Sequence, residues 1–370
     1  MAEAEKTSPR SSPRGSKSPR SPTTAAGPEA ASSPVEYEQP EVDIEAESAE
    51  VEAADDPDND SAYGDDLESY TTSLKSTVLN YRFENGRRYH GFKDTERNYL
   101  LPNDDEENDR LDLCHHIMTL RMDGELHFAP IGPEPGRILD LGTGTGIWAI
   151  DMGDKYPTAE ILGNDISPIQ PSLVPPNVKF EVDDIEDEWV YSTKFDFIHC
   201  RYLACSLRNW PRLMEQAFKF VKPGGWVEFQ DFDLRFYTTT NGELKSDTSY
   251  NIWARQLADG VRKFGIEPDP GPQLEGWCHD AGFINVQSRV LPLPVGTWPK
   301  DKKLKEVGAF NLINYLDNLE GLSLRIYTSA WGWSPEEVKV LCAQLRRDFK
   351  NVRMRAQHNY YVTWAQKPEG

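Results

Sequence analysis

The 370-residue sequence predicts an α/β fold, a doubly wound sheet of seven strands with a helical insertion before the last one. Three observations predict it. From Ile138 onward, short apolar runs alternate with helical stretches, the pattern of parallel strands joined by crossover helices. A glycine-rich turn, Asp140-Leu-Gly142-Thr-Gly144-Thr-Gly146, closes the first run and opens the first helix. Pro223-Gly224-Gly225 then separates a later helix from the fifth run.

Taken in order, Leu111, His115, Met118 and Met122 recur at helical spacing and predict an amphipathic helix packed on the core ahead of the sheet. Residues 138–141, 159–163, 178–182, 195–199 and 226–230 predict five strands, with helices near 146–156, 210–221 and 247–264 between and after them. Residues 283–291 and 358–366 predict two more strands, an antiparallel edge pair after the fifth. They flank an insertion at about 295–352 with helices near 301–319 and 335–349. The domain reading is therefore a tail at 1–70, an arm and helix at 71–130 that cap the site, and the α/β domain at 131–370.

The tail is set apart by charge. The net charge is −21, but residues 1–20 carry five basic residues against two acids, and residues 29–68 carry 16 acids with no Lys or Arg. This leaves −8 for residues 69–370. All ten tryptophans lie at Trp148 or beyond, so the first 70 residues lack the apolar material that offsets chain-ordering entropy and are expected to be disordered. Ser8-Pro9, Ser12-Pro13, Ser18-Pro19 and Ser21-Pro22 form a cluster that reads as a solvated linker or as a proline-directed phosphorylation tract within an import signal. An acidic chain argues against a broad nucleic-acid or anionic-lipid surface. No apolar run reaches the roughly 18 residues of a membrane span, and the N-terminus lacks a secretory pattern, so a soluble protein of nucleus or cytoplasm is expected. Five cysteines without a C-x-x-C pair predict reduced thiols rather than a disulfide framework or zinc module.

The candidate site gathers where three strands end. Gly142, Gly144 and Gly146 permit a tight turn with free N–H groups at the helix start. The spacing is G-x-G-x-G rather than the G-x-G-x-x-G of dinucleotide sites. Asp165, with Ile166 beside it, ends the second strand nineteen positions after Gly146, where a carboxylate accepts ribose hydroxyls. Asp183 and Asp184 end the third strand and offer an acceptor for an adenine amino group, while Ile185 walls its ring. A cationic nucleoside suits a pocket rimmed by Asp140, Asp165 and Asp183, and a pyrophosphate does not; S-adenosyl-L-methionine meets every requirement. After the fourth strand, His199 is a candidate general base or a packed, cofactor-orienting ring, and Arg201 a candidate for a carboxylate or a structural ion pair. Tyr89 and His90 on the arm are candidates for closing the pocket, and Trp331 with Trp333 for a lid, each with core packing as the alternative. Arg346, Arg347, Lys350, Arg353 and Arg355 form a basic stretch that reads as a solvated helix face or a docking patch.

The runs Ile-Leu-Asp140-Leu-Gly142-Thr-Gly144-Thr-Gly146, Gly-Asn-Asp165-Ile-Ser, Asp183-Asp184, Phe195-Asp-Phe-Ile-His199 and Lys222-Pro-Gly-Gly-Trp226 resemble a class I S-adenosylmethionine-dependent methyltransferase with its Rossmann-like sheet. Glu84-Asn-Gly-Arg87-Arg88-Tyr89-His90, Asn108-Asp-Arg-Leu-Asp112 and Met122-Asp-Gly-Glu-Leu-His-Phe-Ala-Pro130 resemble, more narrowly, the fungal LaeA-like methyltransferases. The resemblance runs from Tyr81 to the end. It implies an arm that crosses the cofactor, and a role either in secondary metabolism or as a nuclear regulator that binds velvet-type proteins. No N-P-P-Y-type tetrad follows the fourth strand and no Pro-Cys dipeptide occurs, which disfavours nucleic-acid amino and cytosine methylation. The leading expectation is a nuclear regulator of development or secondary metabolism. The alternatives are a biosynthetic small-molecule O- or N-methyltransferase and an inactive cofactor-binding scaffold.

Overall fold

Ile138 packs into one hydrophobic cluster and its neighbour Leu139 into another, so the first strand of the sheet is covered on both faces, as parallel strands require. The computed structural model describes residues 81–91, 99–238, 242–243 and 247–370, and the readings made for the 1–70 tail lie outside them. The described residues belong to the unit Asp60–Gly370.

A hairpin comes first, β1 (Arg82–Glu84) and β2 (Arg87–Tyr89), turned by Asn85 and Gly86 at φ 51° and 81°. Helix α1 (Asp105–Arg121) starts where Asp104 accepts the Glu107 N–H, with three acids in its first turn. The sheet strands β3 (Arg137–Leu141), β4 (Glu160–Asp165), β5 (Val178–Val182), β6 (Phe195–Arg201) and β7 (Val221–Phe232) follow, with α2 (Ile147–Lys155) after β3 and α3 (Trp210–Phe220) before β7. A short pair, β8 (Tyr237–Thr238) and β9 (Gly242–Glu243), precedes α4 (Ser249–Arg262) and α5 (Leu274–Asp280). Strands β10 (Ile284–Pro294) and β11 (Ala356–Gln366) enclose α6 (Lys302–Trp331) and α7 (Pro335–Phe349).

Sheet order is β5-β4-β3-β6-β7-β11, with β10 on β11 and β8-β9 extending the β7 side at the start of β11. Strands β3 to β7 are parallel and the last pair is antiparallel, as expected. Strand order reverses between β3 and β6, which opens a crevice at their carboxyl ends. One apolar layer joins β3, β6 and β7 to α3 and α5, and a second joins them to α1 and α2. A third gathers α4, α6 and α7 around Trp253, Tyr327 and Phe349.

Three differences from the sequence reading have physical causes. Helix α6 runs 30 residues rather than ending near 319, because Gly321 is a packing site and not a stop: a Cβ there would meet the Arg87 guanidinium at 2.5 Å. The stop is Gly332 at φ 70°. Strand β7 begins at Val221 because its first residues already pair with β6 across an irregularity at Phe195. Helix α5 was not expected, having only seven residues in which to show a period.

Candidate functional site

The crevice holds a cavity of about 1240 Å³, its open mouth included. Its floor is the glycine loop. Gly142 and Gly144 take φ 63° and 59°, a region costly for any side chain, and a Cβ on Gly142 would come within 2.6 Å of Leu203 Cδ2. Gly146, at φ 81°, caps α2 and lies against the Phe180 ring; it is not among the cavity residues.

Of the residues singled out in the sequence, Asp140, Gly142, Gly144, Asp165, Ile166, Asp183, Asp184, Ile185 and Arg201 line the cavity. The Asp165 carboxylate accepts the Gly144 and Ser167 N–H groups, each at 2.9 Å, and so ties the loop after β3 to the end of β4. Burial nevertheless pushes its pKa up to about 6. Asp183 continues the edge, its N–H donating to the Asp165 carbonyl at 3.1 Å. Six carboxylates line the cavity, Glu107, Asp140, Asp165, Asp183, Asp184 and Glu186, against the single guanidinium of Arg201. The arrangement suits a ligand with positive charge at one end and hydroxyls at the other.

Arg201 is held by a relay. Its Nη2 donates to His115 Nδ1 at 2.7 Å, and His115 Nε2 meets Asp151 Oδ2 at 2.8 Å. A guanidinium only donates, so His115 accepts on Nδ1 and carries its proton on Nε2. Burial and then the Arg201 charge lower the His115 pKa, against the pull of Asp151, which keeps the ring neutral.

His199 and Tyr89 do not line the cavity. Two residues before Arg201 on β6, His199 sits about 7 Å back from the carboxyl edge. It is 0% exposed, stacked on Trp148 with centroids 3.6 Å apart, and its Nδ1 donates to Asp140 Oδ1 at 2.7 Å. The other Asp140 oxygen accepts from Thr143 Oγ1 at 2.6 Å. Burial lowers the His199 pKa despite Asp140, so the ring is neutral and locks the first glycine turn rather than facing a substrate. Tyr89 lies under the Arg325 guanidinium at 4.5 Å, with burial pushing its hydroxyl up to about 12. The next arm residue, His90, lines the cavity instead. Trp331, 38% exposed, packs on Lys263, and the part-buried Trp333 on Tyr327; neither lines the cavity.

The helix expected to cap the site does so at its start, where Asn103, Glu107, Asn108 and Leu111 close the cavity; the sequence reading named Asn108 only within a family-like run and Leu111 only as a packing position, and did not single out Asn103 or Glu107. They get there because Asp104 pairs with Arg87 at 2.5 and 2.7 Å while Asn103 Nδ2 donates to Ser167 Oγ at 3.2 Å. Asn85-Gly86 was the available signal for the hairpin that carries Arg87.

A methyltransferase-domain family model matches residues 114–288. The Aspergillus terreus protein named Methyltransferase pytC is 42% identical over 304 residues, covering 82% of this chain and 93% of that one. Secondary metabolism regulator LAE1 of Cochliobolus heterostrophus is 35% identical, covering 77% and 94%. Protein-methionine methyltransferase laeA of Emericella nidulans is 32% identical, covering 77% and 76%. The fold and the relatives define an S-adenosylmethionine-dependent methyltransferase. Within that class, the chain belongs to the LaeA-like family.

Proposed function

We propose that the cavity is the methyl-donor site and that the chain is an active methyltransferase. The carrying observation is Asp165. Its carboxylate is fixed by two backbone N–H groups at the end of β4, with lone pairs left over for the two ribose hydroxyls. Ile166 and Ile185 wall the adenine, Asp183 and Asp184 receive its amino group, and the glycine loop with Asp140 lies along the cationic end. Arg201, oriented by neutral His115, holds the carboxylate of the amino-acid portion. When bound, S-adenosyl-L-methionine supplies a methyl group whose S–C electron pair stays on sulfur as an acceptor lone pair takes the carbon; the acceptor's proton passes finally to solvent. The chain positions and desolvates the reactants, which by itself supplies much of such a barrier reduction. His199 acts through Asp140 and is a positioning residue. Calorimetry with S-adenosyl-L-methionine and S-adenosylhomocysteine tests this: Asp165→Ala is expected to weaken both at least tenfold, and a folded wild-type chain that binds neither discards the reading.

A second reading, a regulatory role in secondary metabolism exercised in the nucleus with a velvet-type partner, is favoured by the 35% relative named as a regulator. In it, residues 1–70 form a separate tail, 71–130 the capping arm and 131–370 the catalytic domain. Tagging the protein in its native cell tests it, since a cytoplasmic chain that co-purifies with no protein argues for metabolite methylation alone. Among the described residues no helix is long and apolar enough to cross a membrane.

A further inference from the structure

A second cavity of about 720 Å³ lies beside the first, and Tyr202 lines both. Tyr202 holds a left-handed φ of 56°, and its N–H donates to the Gln230 carbonyl at 3.1 Å. A conformation that few side chains adopt is thus kept at the boundary between the two spaces. The rest of the boundary is the first turns of α1: Glu107 lines the first cavity, Arg110 the second, and the two form a buried bidentate pair at 2.9 and 2.6 Å. The far walls come from α4, α6, the end of β7 and the start of β11, through apolar side chains such as Phe232, Trp253, Leu257 and Ile326.

The polar groups of this cavity are few and uncharged in sum. Arg110 is its one charged lining residue, and Glu107 neutralises it. Asn311, 2% exposed, donates from Nδ2 to the Pro294 carbonyl at 2.9 Å and to His358 Nε2 at 3.2 Å. The carbonyl only accepts, so the amide orientation is fixed and Asn311 Oδ1 is left as an acceptor. His358, accepting on Nε2, carries its proton on Nδ1, where it meets no protein acceptor although the ring is only 6% exposed.

We propose that this second cavity is the methyl-acceptor site and that it takes an uncharged, mainly apolar small molecule whose nucleophilic atom meets the methyl group past Tyr202. The assignment rests on the methyl-donor reading of the first cavity. A phosphorylated or ammonium acceptor finds no counter-charge there, and a folded polypeptide finds walls from five elements and the loops between them rather than a groove.

Calorimetry on the full chain saturated with S-adenosylhomocysteine, titrated with 2-naphthol as the probe, tests it. Wild type is expected to take up one equivalent saturably. Leu257→Trp, which fills the cavity, is expected to lose at least tenfold in 2-naphthol affinity while its S-adenosylhomocysteine affinity stays unchanged. If that variant does not fold, His358→Phe decides, with an expected loss of fivefold or more at unchanged cofactor affinity. Absent uptake by cofactor-loaded wild type, or uptake that the folded variants leave unaltered, overturns the acceptor assignment. Failure to bind S-adenosylhomocysteine at all appears in the preceding titration and overturns the donor reading on which it rests.

Discussion

Asp165 concentrates the site's chemistry in one carboxyl. Its pKa of about 6 is set by burial and held down by the Ser167 and Gly144 N–H groups. In the proposed donor site ribose hydroxyls would bind the ionised form, so cofactor affinity is expected to be flat above about pH 7 and to fall toward tenfold per unit once pH drops well below 6. Calorimetry across pH 5–8 reads this directly, and an affinity that rises on acidification contradicts it. Gly142→Ala tests the loop beside it. The alanine meets both a φ of 63° and the Leu203 side chain, so a loss of about 1–3 kcal/mol is expected in chemical denaturation. His199→Ala separates packing from catalysis. Removing a ring stacked on Trp148 and bonded to Asp140 leaves a void, expected to cost about 2 kcal/mol or more, while the limbs of the pH–rate profile keep their positions. An unaltered melting temperature together with a lost acidic limb would instead restore His199 as the base.

At the scale of elements, what the sequence disclosed and what it hid divide by the range of the interaction. The strand at 138–141 was legible as a short, mostly apolar run and that at 178–182 as an apolar–charged alternation, and the glycine loop because backbone geometry demands glycine at 142 and 144. The acids that line the cavity were legible because strand ends bring them to one edge of the sheet. The start of α1 was not, since Asn103, Glu107 and Asn108 are cavity walls only through a three-dimensional clamp. Asp104 caps the Glu107 N–H, accepts the Arg88 N–H at 3.2 Å and pairs with Arg87, which in turn lies on Gly321 of α6. Periodicity carries no record of such a contact. Asp104→Ala is expected to cost about 1 kcal/mol for the cap and more for the stranded Arg87, and to weaken S-adenosyl-L-methionine binding severalfold through α1. Hydrogen exchange provides the check: protection should fall across 82–121 and persist in β3 and β6, whereas uniform loss across the sheet rejects a local clamp.

Over the whole molecule, the charge of −21 describes residues 29–68 more than the folded unit, where the titrations that matter are buried and oppose one another. Burial raises Glu228 and Asp231 to about 7 and Asp165 to about 6. Glu228 receives the Phe128 and Ala129 N–H groups at 2.7 Å, and Asp231 those of Leu203 and Ala204 at 2.8 Å, so each pins a loop, Asp231 the one that carries Leu203 into the cavity wall. An acid whose folded pKa lies above its unfolded value, about 4, contributes stability below that value and loses it as pH rises through 6–7. Burial does the reverse to His127 and His358, lowered to about 4. They contribute stability above their unfolded pKa near 6.5 and lose it as pH falls toward 4. Over pH 4.5–6.5 these acids, with Asp233 and Glu181 also raised by burial, oppose the histidines, with His115 and His199 also lowered. The melting temperature is therefore expected to change by only a few degrees between pH 5 and 7. Removing one side of the balance exposes the other: in His358→Phe the acids are less opposed, and stability should fall more steeply than in wild type as pH rises from 5 to 7. Melting curves of the two proteins across that window decide it, and parallel profiles would mean that the histidine is not neutral in the folded chain.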